Sequence, residues 1–274
     1  MRTKLMAAVV SALVVGSGTA MAQPKGQGAK AAPGQAAAQG KTELTWWGHA
    51  GFFVHTPGGA VIAIDPWLNN PKAPQGVQPP EKVDAILVTH GHFDHAGSAK
   101  ELAAKTGAQV FGSYELINLL GLPQDKGVGA NAGGTFQVKD VTIHLVEAVH
   151  SSSYAADDKS PAQYAGAPLG YVIEIANGPT LYHAGDTGVF ASMATIADQF
   201  KPTVALLPIG GHFTMGPAEA AQAARLLKVK SVVPMHYGTF PLLKGTPDEL
   251  EGQLKKLGGS AKVQRMDAGK ATAL

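Results

Sequence analysis

Four side chains able to bind a divalent metal ion fall within six residues, His90-Gly-His92-Phe-Asp94-His95. An extended or turning backbone sends His90 and His92 the same way, while Asp94 and His95 face a point just beyond. The spacing therefore suits two adjacent ions better than one. Gly91 lets the chain turn closely around such a site. With 10 His in 274 residues, three His and an Asp in six positions point to a metal site rather than to a polar loop rich in His by chance. The chain has no Cys, which excludes disulfides, thiolate ligands and Cys nucleophiles. Any metal must be held by imidazole and carboxylate, a ligand set that suits Zn, with Mn and Fe also fitting.

These residues need strands to deliver them. Val83–Thr89 reads as a buried strand that runs directly into His90. Three more apolar runs end the same way: Val141–Val149 at His150, Thr180–His183 just before Asp186, and Ser231–Pro234 just before His236. Each can be brought to one edge of a sheet, where active sites gather. Together with the cluster they complete seven ligands. Leu44–Trp47, Phe52–His55 and Ala60–Ile64 read as an antiparallel meander, followed by further strands at Leu169–Ile175 and Val204–Pro208. Ser98–Thr106, Gly112–Leu120, Pro217–Leu227 and Pro247–Leu257 read as helices, with Pro217 suited to a helix N-terminus. Gly127–Gly134 does not fit a phosphate-binding loop and reads as a turn. The expected class is α/β, one domain of mixed sheets with helices outside.

The ends differ from this core. Arg2 and Lys4, an apolar stretch from Leu5 to Val15, and Ala20-Met21-Ala22 have the order of a signal peptide over residues 1–22, too short in its apolar part to span a bilayer. Residues 23–40 are Gly, Ala, Gln, Lys and Pro with little to bury, as in a flexible linker. The folded domain is expected over 41–274, exported to the periplasm or beyond, with no stable membrane anchor after cleavage. Lys and Arg number 22 against 20 acidic residues, and without the leader they balance at 20 each. That balance, with no basic run, disfavours a nucleic-acid partner, whose phosphates need neutralising.

The sequence resembles the metallo-β-lactamase superfamily, in its metal-dependent hydrolase branch that includes L-ascorbate-6-phosphate lactonase-like proteins. The resemblance rests on Trp47-Gly-His-Ala-Gly-Phe52, Ile64-Asp-Pro66, Thr89-His-Gly-His-Phe-Asp-His95, Tyr182-His-Ala-Gly-Asp-Thr187, the stretch Leu207 to Pro217, and Pro234-Met-His-Tyr-Gly-Thr239. It implies a four-layer αβ/βα sandwich with two divalent ions at one edge. His90, His92 and His150 would bind the first, Asp94, His95 and His236 the second, and Asp186 would bridge them. An Asp at 186 and the absence of Cys fit a hydrolase other than an antibiotic-degrading lactamase. His92, which is not Glu, and the lack of room for a flavin domain separate the chain from the flavodiiron branch.

Such a centre carries net positive charge and suits a small-molecule substrate, anionic or developing an oxyanion. Hydroxide bridging the ions would attack an ester, lactone or phosphoester, with Asp94 orienting it and taking its proton. His212, in a Gly-rich turn, is a candidate to donate to substrate or oxyanion. Tyr154 and Tyr164 lie in the long polar loop Ser151–Pro168, read as a substrate-facing lid. Asp65 and His183 are candidates to hold ligands from behind. His49, among Trp46, Trp47 and Phe52, reads as a packed hairpin residue. The competing readings are a non-catalytic metal-binding or sensing domain on the same fold and an RNase Z-like phosphodiesterase; export and balanced charge count against the latter.

Overall fold

The strands and helices follow the hydrophobic pattern of the chain closely, in a computed structural model that describes residues 40–274. The expected signal peptide and almost all of the expected linker lie outside the described residues. The first sheet begins as an antiparallel meander of β1 (Glu43–Gly48), β2 (Gly51–His55) and β3 (Val61–Ile64). It continues in parallel through β4 (Ala85–Leu87), β5 (Gln109–Ser113) and β6 (Gly127–Ala130). The second sheet contains β7 (Thr135–Val138) and β8 (Val141–Glu147). After a two-stranded hairpin of β9 (Ser153–Tyr154) and β10 (Gln163–Tyr164), that sheet resumes with β11 (Leu169–Ile175) and β12 (Thr180–His183). It ends in parallel with β13 (Val204–Pro208), β14 (Ser231–Met235) and β15 (Lys262–Val263). The C-terminal β16 (Ala271–Ala273) crosses back to pair with β1.

Alternation along β8 shows how the two sheets meet. Val141, Ile143 and Leu145 are buried, and His144 between them is on the opposite face. The inward residues of both sheets form one apolar layer, with Phe52, Ile64 and Leu87 against Leu145, Tyr171 and Leu206. Tyr171 ties the sheets further, its hydroxyl donating to the carbonyls of Val88 (2.9 Å) and Phe111 (3.1 Å).

Helices cover the outer faces. The short α1 (Phe93–Ala96), α2 (Ala99–Thr106) and α3 (Tyr114–Leu119) lie in the first half of the chain, and Leu102 and Leu116 pack on the first sheet. On the second sheet, α4 (Met193–Phe200), α5 (Pro217–Leu227) and α6 (Pro247–Lys256) bury Met193, Ala220 and Leu250. Strand β13 is buried throughout because helices cover one face and the other sheet covers the other. Pro217 starts α5 as its residue type suggests. Thr246 and Glu249 cap α6 reciprocally, each side chain accepting from the other's backbone N–H at 3.2 and 2.9 Å. The result is the four-layer αβ/βα sandwich.

Two local expectations change. Gly112 and Ser113, read as helical, close β5; α3 starts after Ser113, whose hydroxyl accepts from the Leu116 N–H. Gly127–Ala130, read as part of a turn, is an edge strand against β5. Its glycines make room for α3: a Cβ at 127 would lie 2.6 Å from Ile117 Cγ2, and one at 129 would lie 2.9 Å from Tyr114 Cα. The turn itself comes later, where Gly133 takes a φ of 95° and the Gly134 N–H donates to Asn131.

Candidate metal centre

Parallel pairing places the ends of β3 and β4 together in one sheet, and those of β12, β13 and β14 together in the other. Strand β8 runs parallel to β12, since both are antiparallel to β11. Residues following all of these strands meet at one edge of the sandwich. His90, His92, Asp94 and His95 follow β4, His150 follows β8, Asp186 follows β12, and His236 follows β14.

The side chains form two groups. In one, donor atoms of His90, His92 and His150 lie within 4.8 Å of one another. His90 Nε2 and His92 Nδ1 are 2.9 Å apart. In the other, the same limit holds for Asp94, His95, His236 and also His49. Asp186 connects the groups: its Oδ2 lies 3.1 Å from His236 Nε2 and 3.5 Å from His150 Nε2, and its Oδ1 lies 3.3 Å from His95 Nε2. All seven residues expected as ligands are therefore together.

The surroundings fix the rings. Asp65 accepts from the Thr89 N–H and hydroxyl, both at 2.8 Å, and from His95 Nδ1–H at 2.7 Å. That contact leaves His95 Nε2 for the centre. Thr89 also contacts His90 Nδ1 at 3.0 Å. His183 lies behind the next loop, accepting from the Gly185 N–H at 3.1 Å and donating to the Ala50 carbonyl at 3.0 Å. It thus holds the turn that carries Asp186. Gly91 is needed because a Cβ there would lie 2.7 Å from Ala165 and 2.8 Å from the Ser153 carbonyl.

Burial and charge divide the centre. Burial lowers His90 well below the usual imidazole range, helped by the charge of His95, and burial also lowers His92 and His150. Burial opposes charge on His236 and His95 too, but the carboxylates win. Asp186 and Asp94 push His236 up to about 9, and Asp186 with Asp65 and Asp94 holds His95 well above its ordinary value. Burial disfavours the Asp94 and Asp186 carboxylates, yet neighbouring His charges, led by His95, hold both below the usual range.

A divalent cation fits these residues. His95 Nε2, His236 Nε2 and Asp186 Oδ1 are buried and converge without a hydrogen-bond partner. An unsatisfied buried polar atom costs about 1–3 kcal/mol. Coordination satisfies such atoms, and imidazole with carboxylate is a donor set for Zn, Mn or Fe.

The family profile described as "Beta-lactamase superfamily domain" matches residues 43–236, a span that contains every ligand group above. The chain belongs to the β-lactamase superfamily. A metal-dependent hydrolase from Myxococcus xanthus is 72% identical over all of this chain and 99% of its own length. One from Rubrobacter xylanophilus is 45% identical over 84% of this chain and 96% of its own. The solved structure of Igni18, a metallo hydrolase from Ignicoccus hospitalis, is 38% identical, covers 86% of this chain and 99% of its own, and superposes with a TM-score of 0.73. This superfamily member is a metal-dependent hydrolase.

Three expected substrate residues do not line the cavity at the centre. His212 is exposed with its ring edge-on to Phe213, and it is Phe213 that lines the cavity over the ligands. Tyr154 packs partly against the core beneath the first sheet, and Tyr164 is 71% exposed. The loop Ser151–Pro168 contacts the turn after His90, where Ser152 accepts from the Gly91 N–H at 3.1 Å, and Ser151 is the one residue of this loop that lines the cavity. Conversely, His49 belongs to the site. It is fully buried, with Nε2 3.0 Å from Asp94 Oδ2 and Nδ1 2.9 Å from the Thr239 hydroxyl. Burial lowers it to about 4, so the neutral ring donates to Asp94 and accepts from Thr239. Its signal was Gly48 and Gly51, which compress the turn and hold His49 at a φ of 53°.

Proposed function

We propose that this hydrolase cleaves a small ester, lactone or phosphoester at a dinuclear centre, with Zn as the first expected metal and Mn or Fe fitting the same ligands. His90, His92 and His150 would hold one ion, and Asp94, His95 and His236 the other, with Asp186 between them. The observation that carries this reading is Asp186, whose carboxylate lies within 3.5 Å of a His from each group. The chemistry that bound divalent ions supply at such a centre is an acidified water, with a pKa of about 7, and polarisation of the scissile carbonyl or phosphoryl oxygen.

The protein's own groups account for the rest. Asp94 lines the cavity and takes the proton of the attacking water; His49 and Thr239 hold its carboxylate in place. Asp65 keeps His95 in the tautomer that presents Nε2.

The test is purification without chelator, metal quantification, and assay of lactones, esters, phosphodiesters and a β-lactam before and after chelation. About two ions per chain and chelator-sensitive turnover of one of the first three classes are expected. Failure to take up metal after reconstitution would overturn the assignment.

A further inference from the structure

The cavity over the ligands has a volume of about 790 Å³, within the range of about 300–1,000 Å³ for small-molecule sites. Away from the ligands its wall is carbon: Phe93, Phe213, Phe240, Pro241 and Leu242. Phe240 stacks on Trp67 at 5.8 Å between ring centroids, and Phe93 meets the same indole edge-on at 5.5 Å. Phe93, Phe213 and Leu242 are 65%, 52% and 50% exposed, a concentration of open apolar surface on one cavity. Such surface marks a binding site when it adjoins chemistry. Among the described residues that line it there is no Lys or Arg, and Ser151 is the polar side chain besides the ligand groups.

The charge of a loaded centre suggests an anionic substrate, but this wall does not. A phosphate or carboxylate remote from the reacting bond would leave water here without a cationic side chain to meet it. Resting on the hydrolase reading above, we infer that the substrate is a neutral ester or lactone carrying an apolar acyl chain or aromatic ring. That group packs on Phe93, Phe213, Phe240 and Leu242 while the scissile carbonyl faces the centre. Phe93, Phe213 and Leu242 are specificity-determining residues in this account.

Two measurements test it. With metal-loaded enzyme, kcat/KM for p-nitrophenyl esters from acetate to octanoate should rise by up to about fourfold per methylene, the yield of burying each CH₂. Phe93→Ser and Leu242→Ser should flatten that slope. With metal-free protein, the neutral fluorophore N-phenyl-1-naphthylamine should brighten on binding, bind more weakly to both variants, and be displaced by octanoyl ester but not by a sugar phosphate. Both positions are exposed, so the variants should fold, which circular dichroism checks. Ester turnover without a chain-length trend would overturn this inference and leave the hydrolase reading standing. Probe binding and displacement with no turnover of any ester would uphold the apolar site and overturn the hydrolase reading for that class. Preference for a sugar-phosphate lactone over the alkyl esters would overturn the inference.

Discussion

The two halves of the candidate metal centre are built from similar donors and differ in charge. The half made by His90, His92 and His150 is all imidazole, and burial keeps its rings neutral. The half made by Asp94, His95 and His236 contains one carboxylate and borders two more, so its His rings hold protons more tightly than free imidazole. On the two-ion reading, the first half would accept a cation without releasing a proton, whereas the second would exchange protons for its ion. The difference lies in what stands behind the ligands. Thr89 contacts His90, while Asp65 lies behind His95 and His49 beside Asp94.

The largest expected effect comes from the residue shared by both halves. Asp186→Asn should lower metal content in both and reduce kcat/KM on the order of 10²–10³-fold. Next, His150→Ala should lose the ion of the imidazole half alone, and mass spectrometry of the metal content should fall from about two to about one per chain. The converse is His49→Phe, which keeps much of the ring volume but removes the donor to Asp94. It should weaken the carboxylate half about 10–100-fold, measured by competition with a chromophoric chelator, and spare the other half.

Proton exchange sharpens the contrast further. His236 at about 9 carries a proton at neutral pH that must leave before its nitrogen can bind an ion. Affinity of the carboxylate half should therefore climb from pH 7 toward 9, by up to about tenfold per unit for this one proton. The imidazole half, its rings already neutral, should be flat over that range. The smallest effect lies outside the centre. Lys139 Nζ meets Asp84 Oδ2 at 2.7 Å near the surface. Lys139→Ala should cost at most about 1 kcal/mol in denaturant unfolding and leave the metal content unchanged.

The gathering of these side chains was legible because the apolar runs that precede them are strands whose ends meet at one edge. Strands β11, β12 and β13 match their apolar runs residue for residue, and His150, Asp186 and His236 follow from the same pattern. His49 was not legible in the same way: nothing in its local alternation shows that a two-residue turn aims it across at Asp94, 45 positions away. The glycines at 127 and 129 were misread because their cause is the close approach of α3, a tertiary fact. The aromatic wall was hidden for a similar reason. Phe93 comes from the start of α1, and Phe213 and Phe240 from two later loops, while Tyr154 and Tyr164, close in sequence to His150, do not line the cavity.

The most direct test is anomalous X-ray diffraction from crystals of the metal-loaded protein. The account predicts two peaks, one among His90, His92 and His150 and one among Asp94, His95 and His236, with Asp186 touching both. A single peak, or peaks away from these side chains, would contradict it.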